Sequence, residues 1–308
     1  MRYQRTIESS ISCSGVGLHT GVASSIRLQP APEDHGIRFV RTDLRRPVTI
    51  RAIAEQVVGT MLSTSLGANG TSVQTVEHLL SACAGLRVDN LLIEVDGPEI
   101  PILDGSAAPF VALLQQAGIK KQTRLQPYVR VIRPLQIGDP EVGVTVVPAP
   151  FPTIDYTIDF PDVVVKRQHY LFHWTEEEFV RDIAPARTFG FLRDVERMRA
   201  NGLIKGASLE NAVVVSPDGV MNPEGLRFQD EFVRHKVLDL IGDLALLGLP
   251  LVGQVSAACA GHAMNFELVR ALRAQPDAWV LVAPDRPSPS REEQPASLAV
   301  PVPASLPL

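Results

Sequence analysis

Cysteine is scarce in this chain. Its 308 residues include three, Cys13, Cys83 and Cys259. The count is odd and no CxxC occurs, which argues against a disulfide framework and for a reducing compartment. A surplus of positive charge is also missing: 29 Lys and Arg face 34 Asp and Glu, for a net charge of −5. A general nucleic-acid binder carries a basic footprint, so nucleic acid is not an expected partner. A local basic pocket for an anionic ligand stays open. No apolar run follows Arg2 and Arg5, so no signal peptide is expected. No stretch reaches the roughly 20 apolar residues of a membrane span. The most apolar one, Leu244 to Ala260, is broken by Pro250, Gln254 and Ser256. It reads as a helix end, a Gly-Leu-Pro turn and a buried strand. The expectation is a soluble, cytoplasmic monomer with no stable membrane insertion.

What is present is ordinary core material. Apolar residues make up 45% and charged residues 20%, enough to exclude a wholly disordered or collagen-like chain. At about 100–200 residues per domain the length suggests two domains. Residues 3–57 alternate with a period of two and read as antiparallel strands with one wet face. Residues 72–86 carry Val76, Leu79, Leu80 and Cys83 at helical spacing, with Gly85 as the stop. A strand follows at Asn90–Val95, and a helix from about Ala108 to Gly118. The polar segment from Lys120 to Pro127 is the expected boundary. Strands then restart at Val129, Gly143 and Thr153. Helices are predicted near Thr175–Ile183, Phe191–Ala200, Gln229–Leu247 and Phe266–Gln275, and a strand at Val255–Cys259. Both halves run strands, helix, strand, helix, which hints at two related units without a clear residue-level repeat. Residues 284–308 hold seven of the 25 prolines and read as a flexible tail without catalytic residues.

Three places carry possible chemistry. His235 and Asp239 lie four apart on the longest predicted helix and share a face. Such a pair can grip zinc, or it can be a solvated His–Asp pair. Asp243 lies one turn further along. Glu77-His78 opens the earlier helix, where adjacent residues point about 100° apart. His78 can then ligate a metal while Glu77 reaches a water. The HExxH pattern of zinc proteases is absent, because position 82 is alanine. His262 follows a buried-looking strand, where a rigid scaffold can present a loop His to a cleft or simply cap a helix. Together these residues match a catalytic zinc site with three protein ligands and an open position. Spacing alone leaves open whether they meet.

At these residues the chain resembles the UDP-3-O-acyl-N-acetylglucosamine deacetylases, zinc amidases of lipid A synthesis in Gram-negative bacteria. The matching strings include GVGLHTG (15–21), TVEHLLSA (75–82), PEIPILDGSAAPFV (98–111), TIDF (157–160) and ARTFGF (186–191). GLRFQDEFVRHKVLDLIGDL (225–244) and GHAMN (261–265) complete the set. The resemblance implies an α+β fold of two domains, each a layered β-α-α-β sandwich, packed face to face around the active site. The domains are expected at 1–123 and 124–283. The second carries a small acyl-chain-binding insert at about 188–210.

The same resemblance implies His78, His235 and Asp239 as ligands of one Zn2+, with Fe2+ as an alternative. It implies Glu77 as general base, His262 as general acid with Asp243 as its partner, and Thr188 near the oxyanion. Lys236 is expected beside the sugar or phosphates, and Phe160 against the uracil. Phe189, Phe191, Leu192, Val195, Met198, Leu203 and Ile204 are expected along the acyl channel, where each buried CH₂ is worth about 0.8 kcal/mol. The partner is then a small acylated UDP-sugar, and the reaction removes its acetate. Two departures stand out. Position 63 is serine where some relatives carry cysteine, and the loop Gly138–Gly143 has no lysine for a phosphate. Three other readings compete: an amidase for a different acyl-sugar, a sugar-nucleotide binder without turnover, and a structural protein whose histidines merely pair with carboxylates.

Overall fold

The computed structural model describes residues 2–284. The expected flexible tail therefore lies, but for Pro284, outside the described residues. In the N-terminal half β1 (Tyr3–Ile7), β2 (Ile11–Val16), β3 (Ala23–Pro30), β4 (Ile37–Arg41) and β5 (Val48–Arg51) come first. Three short strands follow, β6 (Val57–Gly59), β7 (Ser65–Ala68) and β8 (Thr71–Val73). Then come helix α1 (Glu77–Gly85), β9 (Leu91–Asp96), α2 (Ala108–Gln116) and β10 (Ile119–Leu125). The C-terminal half begins with β11 (Tyr128–Val131), β12 (Leu135–Gly138), β13 (Gly143–Val147), β14 (Thr153–Asp159) and β15 (Arg167–His173). It continues through one turn, α3 (Glu176–Glu178), a π-helical turn at Phe179–Ile183, β16 (Phe189–Phe191), α4 (Leu192–Ala200), β17 (Val213–Ser216) and β18 (Gly219–Val220). It closes with α5 (Glu231–Leu244), β19 (Leu251–Val252), β20 (Gln254–Ala258), α6 (His262–Ala274) and β21 (Trp279–Val282).

The two halves repeat one topology. In the first, β9 slots between β3 and β4 in a five-stranded sheet ordered β2-β3-β9-β4-β5. In the second, β20 slots between β13 and β14 in the order β12-β13-β20-β14-β15. In both, the central strand is antiparallel to one neighbour and parallel to the other. In both, the first strand pairs with the strand that follows the last helix, β1 with β10 and β11 with β21. The repeat hinted at by element order is thus a repeat of topology. Within 3–57 the expected antiparallel pairs form, β2–β3 and β4–β5, while β4 also takes β9 as a parallel neighbour, because a central strand reached through a helix can return parallel.

Strand pairing also locates the division. Among the described residues every paired strand finds its partner in its own half. Most of the expected polar boundary, 120–127, lies in β10 (Ile119–Leu125) on β1, so residue 123 falls inside a strand. It reads as polar because most of it is exposed. Each half also carries an addition at the same topological point, between its second hairpin and its first long helix. In the first half this is the β6-β7-β8 sheet, and in the second it is the β16-β17-β18 sheet with α4. The second addition runs to Val220, past the expected end at residue 210.

Two helix boundaries differ from expectation for local reasons. Helix α1 starts at Glu77 rather than 72, because Thr71–Val73 pairs with β7 and Thr75 takes φ +57°. Helix α6 begins at His262, with Asn265 N–H donating to the Gly261 carbonyl. His262 is therefore a first-turn helical residue rather than a loop residue.

Helices α1 and α5 form the middle of the molecule. All of α1 but Ala84 is buried, and all of α5 but Arg234 and Lys236. A helix apolar nearly all round needs cover on both sides. The two helices pack on each other, and α5 also packs on β14 and β15. Their crossing is close. A Cβ on Gly242 of α5 would overlap the Glu77 carbonyl of α1, and a Cβ on Gly85 would overlap the Phe179 ring. Glycine at 242 is therefore required by proximity. We expect Gly242→Ala to cost about 1–3 kcal/mol through overpacking, read by denaturant unfolding, and to weaken any activity that needs Glu77 against α5. Unchanged stability would mean that the crossing relaxes freely.

Candidate active site at the helix crossing

The crossing brings together residues from both halves. His235, Asp239 and Asp243 form one stripe of α5, spaced by four. Glu77 and His78 open α1, and His262 opens α6. One donor atom from each of His78, His235 and Asp239 lies within 4.8 Å of the others, and all three residues are buried. Asp239 Oδ1 stands 3.3 Å from His235 Nε2 and 3.7 Å from His78 Nε2. The two rings meet edge to face, with centroids 5.0 Å apart.

The hydrogen-bond pattern around this trio decides what it suits. His235 Nδ1 lies 3.0 Å from the Ala186 carbonyl, which can only accept. That bond puts the proton on Nδ1 and leaves Nε2 as a lone pair facing Asp239. Burial lowers the His235 pKa to about 3, so the ring is neutral. Asp239 Oδ2 accepts from Lys236 Nζ at 2.6 Å, while Oδ1 is buried without a hydrogen-bond partner. Burial alone would raise the Asp239 pKa, but the charges around it, Lys236 among them, hold it well below the usual carboxylate range. A buried lone pair thus faces a buried, unpaired carboxylate oxygen. Neither supplies a proton, and a cation between them resolves the mismatch. Two imidazoles and one carboxylate are a donor set for zinc or ferrous iron. The residues therefore fit the metal that the resemblance implies.

Two further groups face the trio. Glu77 is 2% exposed. Its burial raises the carboxyl pKa, with His262 and His78 pulling the other way. His262 Nδ1 lies 2.8 Å from Asp243 Oδ2. Its Nε2 lies 3.9 Å from both Glu77 Oε1 and Asp239 Oδ2. Burial disfavours a charged His262, but Asp243, with Asp239 and Glu77 behind it, overcomes this and raises the pKa to about 9. These groups line a cavity of about 310 Å³ together with Thr188, Phe189 and Lys236 from the second half. Leu18, Thr60 and Leu62 close its other wall. The additions of both halves thus contribute to one site.

The remaining expected residues sit as follows. Phe160 lies outside that lining but packs on Phe189 (5.8 Å between centroids) and on Phe191 (5.5 Å). Leu192 is exposed, and Val195, Met198, Leu203 and Ile204 are half-buried around α4 and the following turn. None of these five lines the small cavity.

Sequence reasoning missed several supports. Thr64 bonds both Glu77 and Asp243. The Ala186 carbonyl under His235 has no sequence signal at all. It is held by its neighbour Arg187, whose Nε donates to Glu231 Oε1 at 2.8 Å and whose backbone N–H donates to the same oxygen at 3.0 Å. Arg187 and Glu231 are both buried. Glu231 stands one turn before His235, so this spacing was visible and its partner was not. Glu99, fully buried, accepts from the backbone of His19 and Thr20 and from the hydroxyls of Thr20 and Thr75. It thereby folds the 15–21 loop against the start of α1.

In chemical terms one side of the cavity can take a proton and the other can return one, beside a cation site. That is the layout of a hydrolytic enzyme that cleaves an amide or ester. The comparisons with known proteins narrow the class. Residues 4–274 match the family model described as UDP-3-O-acyl N-acetylglycosamine deacetylase. The UDP-3-O-acyl-N-acetylglucosamine deacetylase of Myxococcus xanthus (strain DK1622) is 49% identical over 91% of this chain and 89% of its own. That of Shewanella loihica (strain ATCC BAA-1088 / PV-4) is 47% identical over 99% of this chain and 100% of its own. That of Anaeromyxobacter sp. (strain Fw109-5) is 48% identical over 97% of each. The chain belongs to the UDP-3-O-acyl N-acetylglycosamine deacetylase family. Among the described residues no helix is long and apolar enough to cross a membrane.

Removing Glu231 would leave the buried Arg187 guanidinium with only the exposed Glu224 carboxylate and the Gly225 carbonyl as partners. We expect Glu231→Ala to cost about 3–5 kcal/mol, measured by denaturant unfolding, with weaker metal retention as the Ala186 carbonyl loosens. A loss under about 1 kcal/mol, typical of an exposed pair, would contradict this support.

Proposed function

We propose that this chain is a zinc-dependent amide hydrolase. It removes acetate from UDP-3-O-(3-hydroxyacyl)-N-acetylglucosamine and leaves the free amine of UDP-3-O-(3-hydroxyacyl)-glucosamine. The observation that carries the reading is the buried trio His78, His235 and Asp239, with Glu77 and His262 facing it across one small cavity. Held by that trio, the ion supplies Lewis acidity that polarises the acetamide carbonyl and lowers the pKa of water.

The chain's own residues do the rest. Glu77 Oε1 takes a proton from the attacking water, while its Oε2 stays fixed by the Thr64 N–H at 3.0 Å. The Thr188 hydroxyl, on the cavity wall, donates to the oxygen that gains charge as the carbonyl is attacked. His262 holds a proton at Nε2 and gives it to the departing sugar amine, because an amine cannot leave as an anion. Asp243 holds Nδ1 and favours the charged ring. Lys236, on the rim, suits the sugar or the diphosphate. The aromatic group Phe160, Phe189 and Phe191 adjoins the cavity. It offers a flat face to uracil and an apolar entry toward α4 for the acyl chain. The donor set also suits ferrous iron.

The direct test is acetate release from this substrate before and after chelation. We expect loss on chelation and recovery with one equivalent of zinc. No release from the metal-loaded protein would overturn the substrate assignment. The pH profile checks the proton roles. Activity needs Glu77 deprotonated, so it rises with pH through an acid limb, and His262 protonated, so it falls through a basic limb. We expect His262→Ala to lower kcat and erase the basic limb. A variant that keeps that limb unchanged would contradict the assignment.

A further inference from the structure

Among the described residues Thr64 is the one hydrogen-bonded to both Glu77 and Asp243. It sits just before β7, in the addition of the first half, and is 1% exposed. Its backbone N–H donates to Glu77 Oε2 at 3.0 Å. Its carbonyl accepts from the Val76 N–H at 3.2 Å, at the start of α1. Its hydroxyl donates to Asp243 Oδ1 at 2.6 Å and lies 3.4 Å from His262 Nδ1. The turn that delivers it carries Leu62 at φ +61°.

Asp243 has four lone-pair sites and is 1% exposed. Thr64 occupies Oδ1. His262 Nδ1 and Asn265 Nδ2 share Oδ2, at 2.8 and 2.9 Å. Without the Thr64 hydroxyl, Oδ1 has no other hydrogen-bond partner here. A buried carboxylate with an open site turns toward any donor available. The nearest is the His262 ring, which would tilt as Asp243 rotates. Nε2 would then leave its place 3.9 Å from Glu77.

We propose that Thr64 is a positioning residue that sets the distance between proton acceptor and proton donor across the cavity. This deepens the amidase reading and rests on it. The backbone of Thr64 fixes Glu77, and its side chain fixes Asp243 and through it His262. The two groups come from different halves of the molecule, so their spacing needs a tie between them. Thr64 supplies that tie by one residue, with no contact to the metal trio among its hydrogen bonds.

The test uses the full-length, zinc-loaded protein and three variants. Thr64→Val keeps the shape and both backbone bonds but removes the hydroxyl. Thr64→Ser restores it. Thr64→Ala serves if Val does not fold. We expect the Val variant to lose about 10- to 100-fold in kcat, the range seen when a supporting hydrogen bond beside a metal site is removed. KM and zinc content should stay as in the parent, and Ser should recover most of the loss. The His262 Nδ1–H proton resonance, shifted downfield by its bond to Asp243, should move in Val and return in Ser. Full kcat in Val with an unmoved resonance would overturn the proposal. So would a Ser variant as impaired as Val, which would mean that shape alone matters. If the parent itself releases no acetate, the amidase reading fails. The resonance then still reports, independently, whether Thr64 positions His262.

Discussion

The site depends on one close crossing of two buried helices. Glu77 and His78 lie on α1, and His235, Asp239 and Asp243 lie on α5. These residues meet only because α5 presents Gly242 where the Glu77 backbone passes. The donors of the metal trio come from both halves. The cavity therefore exists only in the assembled molecule, and packing between the halves is itself a condition for chemistry. The apolar faces that hold the crossing are extensive. Leu79, Leu80, Val237, Leu238, Leu240 and Ile241 are all buried, each contributing about 1.5–3 kcal/mol.

Within that apolar surround the polar residues divide into two kinds. Glu231, Arg187, Glu99 and Asp243 are bonded on several sides and act as structure. Asp239 Oδ1, which faces His235 Nε2 and His78 Nε2, is buried without a partner. Satisfied groups rigidify, and unsatisfied ones mark the place where a ligand is needed. The contrast also separates His262 from His235. The same burial gives opposite outcomes, because Asp243 backs one ring and a carbonyl backs the other. One imidazole stays charged near neutral pH and can donate a proton. The other stays neutral and can ligate.

Much of this was legible in the residue pattern. The period-two runs gave most long strands, and the helical segments α1, α2, α5 and α6 were also legible. The stripe 235–239–243 placed three polar groups on one face before any coordinates. What the pattern could not carry were relations between distant residues. A parallel partner for β9 or β20 leaves no local trace, and neither does a carbonyl acceptor such as Ala186. The start of α1 was misplaced because Thr71–Val73 has helix-compatible neighbours but is drawn into a sheet. Thr64 went unnoticed because a lone threonine in a turn resembles any other. Its meaning comes from Asp243, which is 179 residues away. The repeat of the two halves was likewise hidden in topology, where side-chain identity is free to drift.

The central claim is that the two halves jointly hold one metal ion at their helix crossing. Anomalous diffraction at the zinc absorption edge, on crystals of the zinc-loaded protein, tests it most directly. The account requires a single strong peak bounded by His78 Nε2, His235 Nε2 and Asp239 Oδ1, at roughly 2.0–2.2 Å from each. A peak that omits one of the three, or none in a fully active preparation, would contradict it.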